Sequence, residues 1–248
     1  EERQQVMDTV METVGGRIPV VVGTSHQEIE TCISLTKAAV SAGAAGVMIA
    51  PPRMNNPKDE EIIALYAKIA DAVDTSIVVQ DFPPVNGITM TPDMLANLAE
   101  QIPNARYLKL EDPPLMEKIS AIRERTSLFK IFGGLGGMFL LEELRRGAAG
   151  TMTGFAFSEI LVAIYRAYFA GKMAEAEHIF DLYLPLIRYE NQPVINLTIR
   201  KELLYRRGAI ACATPRKPYV PIDAGTQDEI DWVMQRVGIN DPTKKIVF

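Results

Sequence analysis

The sequence predicts an α/β protein whose parallel strands close into a (β/α)8 TIM barrel. From residue 18 onward, short β-branched runs alternate with amphipathic segments, as expected for parallel strands joined by right-handed helical crossovers. The length of 248 residues is close to that of barrels of this type, which fold as one unit. An open dinucleotide-binding sheet would carry a glycine-rich turn after its first strand, and the segment Gly23-Thr-Ser-His26 lacks one. A barrel is therefore favoured, with six strand signals visible where eight are needed.

Six apolar runs are predicted as strands, and the amphipathic segments between them as helices. The predicted strands cover residues 18–23, 45–50, 76–81, 105–110, 128–133 and 149–154. The predicted helices cover residues 28–42, 59–73, 91–101, 114–125, 138–146 and 158–170. The helix that begins at residue 91 has the clearest start, because Thr91 suits the N-cap and Pro92 suits the first helical position.

After Gly171 the strand signals stop and only helical spacing remains. Three further helices are predicted over residues 173–189, 194–207 and 227–237. No polar linker or low-complexity stretch separates them from the preceding part of the chain. We therefore expect a barrel over residues 1–171 and a helical extension, packed on the barrel, over residues 172–248.

Composition excludes several classes of function. A net charge of -5 argues against a surface that binds nucleic acid. The longest apolar stretch, residues 38–50, is broken by Ser41 and is shorter than the ~18 residues that a membrane-spanning helix needs. Cys32 and Cys212 are too few for a disulfide scaffold and are expected to be reduced. The first three residues, Glu-Glu-Arg, do not suit a signal peptide, so we expect a cytoplasmic enzyme without nucleic-acid or membrane partners.

No constellation typical of a metal site is visible. His26 and His178 are far apart in the sequence, one in a predicted loop and one in a predicted helix, and both are expected to face solvent. A nucleophile elbow and a P-loop are also absent from the sequence. The sequence therefore predicts no metal site.

The strongest candidate for that chemistry is Lys109, near the end of the predicted strand over residues 105–110. Because side chains alternate along a strand, Lys109 and Glu111 project to one side. The C-terminal strand ends form the active-site floor of a (β/α) barrel. A lysine that is partly desolvated there could act as a nucleophile and form a Schiff base with a ketone. The plainer interpretation, a lysine that reaches solvent, fits the residue pattern at least as well.

Two other strand ends carry polar side chains. Gln80 and Asp81 end one strand before a Pro/Gly turn, where they could contact substrate or Asp81 could bond the local backbone. Thr151 and Thr153 are separated by one residue and so share a face at the end of the last predicted strand. Their hydroxyls could hold a substrate or satisfy neighbouring backbone groups.

Taken together, these strand ends and several short motifs resemble the dihydrodipicolinate synthase / N-acetylneuraminate lyase family of Schiff-base-forming barrel lyases. The resemblance runs along essentially the whole chain and depends on the order and spacing of the motifs. The motifs are Gly16-Arg-Ile-Pro-Val-Val-Val-Gly23, Ala42-Gly-Ala-Ala-Gly-Val-Met-Ile-Ala-Pro-Pro52, Tyr107-Leu-Lys-Leu-Glu111, Arg146-Gly-Ala-Ala-Gly150, Gly171-Lys-Met-Ala-Glu-Ala176 and Arg216-Lys-Pro218.

The resemblance implies that Lys109 is the Schiff-base lysine. It also implies that residues 1–3 belong to the helix after the second strand of the family barrel, so we expect two βα units, absent here, to precede this chain in the natural protein. Family members are commonly tetramers or dimers, so a homo-tetramer or homo-dimer is expected.

Departures from the family pattern narrow the expected reaction. The family's proton-shuttling tyrosine is replaced by Gln80, and an amide has no proton to exchange near neutral pH. Arg53-Met54 stands where synthases carry tyrosines after the Pro-Pro turn, and Val85 aligns near the synthase arginine that binds the second substrate. Glu111 is the candidate to replace the tyrosine, although it could instead serve only as an ion-pair partner of Lys109.

These features resemble the branch of the family that acts on 2-keto-3-deoxy sugar acids. The expected reaction is dehydration of such an acid, with Lys109 as nucleophile, Glu111 moving protons, and Gln80, Asp81, Thr151 and Thr153 holding substrate. No metal or organic cofactor is expected, because the imine serves as the electron sink. Pyruvate-dependent aldol cleavage, or a condensation like that of dihydrodipicolinate synthase, is the alternative. A catalytically inactive binding barrel also stays open.

Overall fold

The computed structural model describes all residues, Glu1–Phe248. They form two compact units, the first comprising Glu1–Phe132 with Arg146–Ala149, and the second comprising Gly133–Arg145 with Gly150–Phe248.

The first unit contains five strands, with helices following each of the first four. The strands are β1 (Val21–Gly23), β2 (Gly46–Ile49), β3 (Ser76–Asp81), β4 (Tyr107–Leu110) and β5 (Lys130–Gly133), whose last residue belongs to the second unit. The helices are α1 (Glu2–Val14), α2 (Ile29–Ser41), α3 (Asp59–Ala72), α4 (Pro83–Asn86), α5 (Pro92–Gln101) and α6 (Leu115–Arg125). Each strand pairs in parallel with the next along the chain, which is the βα repeat that the sequence predicts.

The two faces of this sheet differ in burial. The residues of one face are almost completely excluded from solvent; they are Val47, Ile49, Ile77, Val79, Asp81, Leu108, Leu110 and Ile131. The opposite face is partly exposed and carries polar side chains, among them Gln80 and Lys109. The apolar face therefore forms the core, and the polar face offers groups for chemistry.

The second unit is mainly helical. It contains a 3-10 turn (Leu135–Gly137), α7 (Leu140–Arg145), the two-residue strand β6 (Gly150–Thr151), α8 (Ser158–Phe169), α9 (Met173–Glu190), α10 (Asn196–Arg206) and α11 (Ala224–Arg236). Its core is continuous and apolar, with Phe157, Leu186 and Ile199 fully or almost fully buried. The main-chain N–H of Met152 donates to the carbonyl of Gly133 at 3.0 Å, which ties the end of β6 to the end of β5 and gives the strand order β1 to β6.

Most predicted elements are found with small shifts at their ends. Strand β3 has the bounds that the sequence predicts, whereas β1 begins three residues later than expected. Pro19 lies within that shortened segment and has no N–H to donate to a strand ladder. The Pro/Gly turn after β3 contains the short helix α4, which was not predicted. None of the helices combines the length and hydropathy needed to cross a bilayer.

Candidate active site

The candidate nucleophile Lys109 lies near the end of β4, between two neighbouring strands. Its Cα is in register with Gln80 on β3 and with Phe132 on β5. The Lys109 side chain is 13% exposed, so it is largely removed from bulk water while still reachable. Aromatic residues of the same face flank it, since Tyr107 and Phe132 contact each other with ring centroids 6.3 Å apart.

Glu111 and Gln80 complete a three-residue group with Lys109. Lys109 Nζ lies 2.9 Å from Glu111 Oε2, and Gln80 Nε2 donates to the same oxygen at 2.9 Å. Glu111 is buried, with a side chain 8% exposed. The structure thus brings together three of the predicted site residues on one face of the first unit.

This arrangement suits proton transfer next to an amine. Glu111 Oε2 lies 2.9 Å from Lys109 Nζ, so the carboxylate is also close to the carbon next to any carbonyl that Lys109 attacks and could accept a proton from that carbon. Gln80 has no proton to exchange, but its amide fixes the Glu111 carboxylate beside Lys109. Charge-assisted hydrogen bonds of this length are strong in a partly desolvated site.

Asp81 is not placed as the sequence analysis expected. Its neighbour Gln80 faces Lys109, whereas Asp81 is in register with Leu110 and lies on the buried face. Its carboxylate contacts Lys118 Nζ of α6 at 2.6 Å. Consecutive strand residues point to opposite faces, so Gln80 and Asp81 do not share one surface. We therefore correct the prediction that Asp81 contacts substrate.

The burial of Asp81 also changes its acidity. Desolvation raises the pKa of Asp81 to about 6, although the Lys118 ammonium acts in the opposite direction. The Asp112 carboxylate, which contacts Lys118 Nζ at 2.7 Å, adds to the increase in the pKa. Neither Lys118 nor Asp112 was identified from the sequence. The signal that could have found them is that an aspartate directly follows both Gln80 and Glu111.

The two predicted threonines lie in the second unit. Thr153 Oγ1 accepts the main-chain N–H of Gly136 at 2.8 Å, so one of its functions is to hold the 3-10 turn. Thr151 Oγ1 is buried and has no hydrogen-bond partner in the protein. A buried hydroxyl without a partner is costly, which makes Thr151 the better candidate for a hydrogen bond to a substrate oxygen.

The remaining residues singled out by the sequence lie on the surface. His26 and His178 are exposed, as predicted. Arg53, which replaces a family tyrosine, is exposed and donates from Nε to the carbonyl of Val85 at 3.2 Å. No group of three or more His, Cys, Asp or Glu residues is arranged to hold a metal ion.

The parallel βα repeat is typical of barrel enzymes, and the lysine–carboxylate pair near the end of β4 suits Schiff-base chemistry. The model of the dihydrodipicolinate synthetase family matches residues 1–237, and the chain belongs to this family. Its members are class I Schiff-base lyases, so the chain is a lyase of this kind. The resemblance stated from the sequence is thereby confirmed.

The relatives include both a dehydratase and a synthase. L-2-keto-3-deoxyarabonate dehydratase of Azospirillum brasilense is 31% identical over 242 residues, which cover 96% of this chain and 78% of that relative. 4-hydroxy-tetrahydrodipicolinate synthase of Methanoculleus marisnigri is 34% identical over 192 residues, which cover 76% of this chain and 65% of that relative.

A solved structure gives the corresponding match in three dimensions. The crystal structure of dihydrodipicolinate synthase from Rhodopseudomonas palustris matches with a TM-score of 0.88 at 33% identity, covering 95% of this chain and 80% of that one. The predicted α/β fold, part of a TIM barrel with C-terminal helices, is thus confirmed.

Proposed function

We propose that this chain dehydrates a 2-keto-3-deoxy sugar acid through a Schiff base on Lys109. The observation that carries the proposal is the group formed by Lys109, Glu111 and Gln80, in which a carboxylate, and not a tyrosine, lies 2.9 Å from the amine. The similarity to a keto-deoxy sugar acid dehydratase along 96% of the chain supports the same reaction.

The reaction begins with attack of the neutral Lys109 amine on the C2 carbonyl of the substrate. Loss of water gives a protonated imine, which can accept the electron pair of the neighbouring C3–H bond. Glu111 takes the C3 proton and then returns it to the C4 hydroxyl, which leaves as water as the C4–O bond breaks. The conjugated imine then loses a proton from C5, which carries a hydroxyl, and gains a proton at C3, and the resulting C5 enol gains a proton at C4 and becomes an aldehyde. Hydrolysis of the imine by water releases the 2-oxo semialdehyde and frees the amine. Because the imine accepts the electron pair, the proposed steps use only side chains and water.

The remaining predicted residues hold the reacting groups. Gln80 keeps the Glu111 carboxylate beside Lys109, and the Thr151 hydroxyl is proposed to bond a hydroxyl of the substrate chain. Thr153 keeps its O–H for the same purpose while it accepts the N–H of Gly136. Positioning of this kind contributes to rate because the reacting atoms are held at short range.

The second candidate is a pyruvate-dependent aldol reaction. It is favoured by the synthase relatives, one of which is 34% identical over 76% of this chain. The family resemblance argues against this reaction. It places Gln80 and Arg53 where synthases carry tyrosines, and Val85 near their substrate-binding arginine. Dehydration needs no second carbonyl substrate and is consistent with these replacements.

The experiment that separates the candidates is an assay of the protein against a panel of 2-keto-3-deoxy acids. We expect a 2-oxo semialdehyde to accumulate without pyruvate. Release of pyruvate would instead identify aldol cleavage, and the absence of any turnover across the panel would favour an inactive binding barrel.

We further propose that the chain forms a homo-dimer or homo-tetramer, as family members typically form oligomers. Sedimentation equilibrium is expected to give two or four times the 27.4 kDa of one chain. A monomer at micromolar concentration would contradict this proposal.

A further inference from the structure

Two aspartates lie close together near the ends of β3 and β4. Asp81 follows Gln80 on β3, and Asp112 follows Glu111 just after β4. Both carboxylates contact one ammonium, with Lys118 Nζ 2.6 Å from Asp81 Oδ2 and 2.7 Å from Asp112 Oδ2. The Asp81 side chain is fully buried and that of Lys118 is 8% exposed. We call Asp81, Asp112 and Lys118 the buried ion cluster.

The buried ion cluster holds the same two chain segments that carry the reactive group. Gln80 and Glu111 contact each other at 2.9 Å beside Lys109, and the residue after each of them is bound by Lys118. A main-chain hydrogen bond of 2.9 Å from the N–H of Glu111 to the carbonyl of Asp81 joins the same segments. Three separate contacts therefore fix the end of β3 against the segment that carries Glu111.

Stability alone is a weak explanation for such a cluster. Burying two carboxylates and one ammonium carries a desolvation cost that their attraction does not clearly exceed. The neighbouring positions of the same face, Ile77 and Val79, are apolar and fully buried, so apolar packing is already available there. Asp81 Oδ1 is buried without a hydrogen-bond partner, which adds to the cost. What the ions provide beyond apolar side chains is a fixed geometry between two specific chain segments.

We propose that the buried ion cluster positions the Glu111 carboxylate for proton transfer at the Schiff base. Lys118 binds the residues that follow Gln80 and Glu111, and so fixes the distance from Glu111 to Lys109 and to the C3 proton of the substrate. The proposal rests on the proposed function, and it makes Asp81, Asp112 and Lys118 positioning residues that touch no substrate.

The test compares imine formation with proton transfer, using pyruvate as the probe. Pyruvate bound to Lys109 as a protonated imine loses a C3 proton to Glu111, the C–H electron pair forms the enamine, and return of a deuteron from D2O labels the methyl group. Borohydride trapping measures imine formation, and proton NMR of pyruvate in D2O measures exchange. For Lys118→Met we expect exchange to slow by about 10- to 100-fold with trapping retained. Asp81→Asn, which keeps the size of the side chain, should show a smaller loss of the same kind.

Two control variants separate positioning from stability. Asp93→Asn removes an exposed ion pair with Arg125 in the same unit and should leave both rates at the parent level. Ile77→Val removes one methyl group from the same buried face of β3. It should lower thermal stability, but it should not slow deuterium exchange relative to borohydride trapping. The proposal would be overturned if Ile77→Val slowed exchange as much as Lys118→Met does. It would also be overturned if Lys118→Met lost trapping to the same extent as exchange.

A crystal structure of the Lys118→Met variant tests the same inference without activity. We expect the Gln80 Nε2–Glu111 Oε2 hydrogen bond to be lost and the Glu111 carboxylate to move away from Lys109 Nζ. An unchanged geometry of Gln80, Lys109 and Glu111 would overturn the proposal. Absence of trapping in the parent protein would contradict the proposed function. The variant structure would still show whether the buried ion cluster holds the Glu111 carboxylate in place.

Discussion

Glu111 has two partners, Lys109 and Gln80, and both contact the same carboxylate oxygen. The amide restrains that oxygen without exchanging protons, and Lys109 Nζ also contacts it, at 2.9 Å. A carboxylate held in this way lies where the proposed reaction removes a proton from the substrate carbon next to the imine. These contacts support the proposal that Glu111 transfers protons and that Gln80 orients its carboxylate.

The first prediction concerns removal of the Glu111 charge. Glu111→Gln should lower turnover of the active keto acid by about 10²- to 10⁴-fold, the usual contribution of a general acid–base group. Steady-state kinetics would measure this loss, and borohydride would still trap pyruvate on Lys109. Glu117→Gln, on the exposed surface of α6, is the matched control and should keep parent activity. Full turnover in Glu111→Gln would remove Glu111 from the mechanism.

The second prediction concerns the pH dependence of stability that arises from Asp81. Burial raises its pKa to about 6, above its ordinary value of 3.8, so the folded protein holds this proton more tightly than the unfolded chain does. The contribution of Asp81 to the free energy of unfolding is therefore largest below pH 4 and falls as the pH rises to about 6. Asp81→Asn should lack this fall, and urea unfolding across that range would measure the difference. A constant difference between the two proteins would show that Asp81 ionises as it does in solvent.

At the scale of single elements, the capping and periodicity of the sequence define the helices well. Thr91 Oγ1 accepts the N–H of Met94 at 3.1 Å and Pro92 begins α5, as predicted. Strand ends are less well predicted, because hydrogen bonding to a neighbour and not local composition decides where a short strand stops. Strand β6 shows this, with two residues where six were expected.

The third prediction tests the cap of α5. Thr91→Ala should lower the free energy of unfolding by about 1 kcal/mol, because it leaves the N–H of Met94 without its side-chain acceptor. Urea unfolding measures the change, and Thr91→Ser, which keeps the hydroxyl, should stay close to the parent. Equal stability of Thr91→Ala and the parent would mean that the observed hydrogen bond contributes nothing.

The limits of prediction at the site follow from the same strand geometry. Alternation of side chains along β4 correctly predicts that Lys109 and Glu111 project to the same side, because the two residues are two positions apart on one extended segment. The same alternation places the consecutive residues Gln80 and Asp81 on opposite faces, so the prediction that both contact substrate is wrong for Asp81. The partner of Asp81 lies on α6, 37 residues along the chain, and a contact of that range is not visible in local periodicity. The register between β3 and β4, which places Gln80 beside Lys109, also required the folded structure.

Across the whole molecule, family membership and site geometry both agree with a Schiff-base lyase. The family model covers residues 1–237, and the parallel βα repeat places a lysine, a glutamate and a glutamine together near the ends of two neighbouring strands. The order and spacing of short motifs were sufficient to predict this family from the sequence. The choice between dehydration and aldol chemistry depends on which substrates the protein turns over, and that choice is tested by product analysis.

The most direct test of the central claim is covalent trapping. The protein is incubated with pyruvate and sodium borohydride, digested, and analysed by mass spectrometry, with Lys109→Met as the control. We predict a reduced pyruvate adduct on the peptide that contains Lys109 and none in the variant. An adduct on another lysine, or no adduct in the unmodified sequence, would contradict the assignment of Lys109 as the Schiff-base residue.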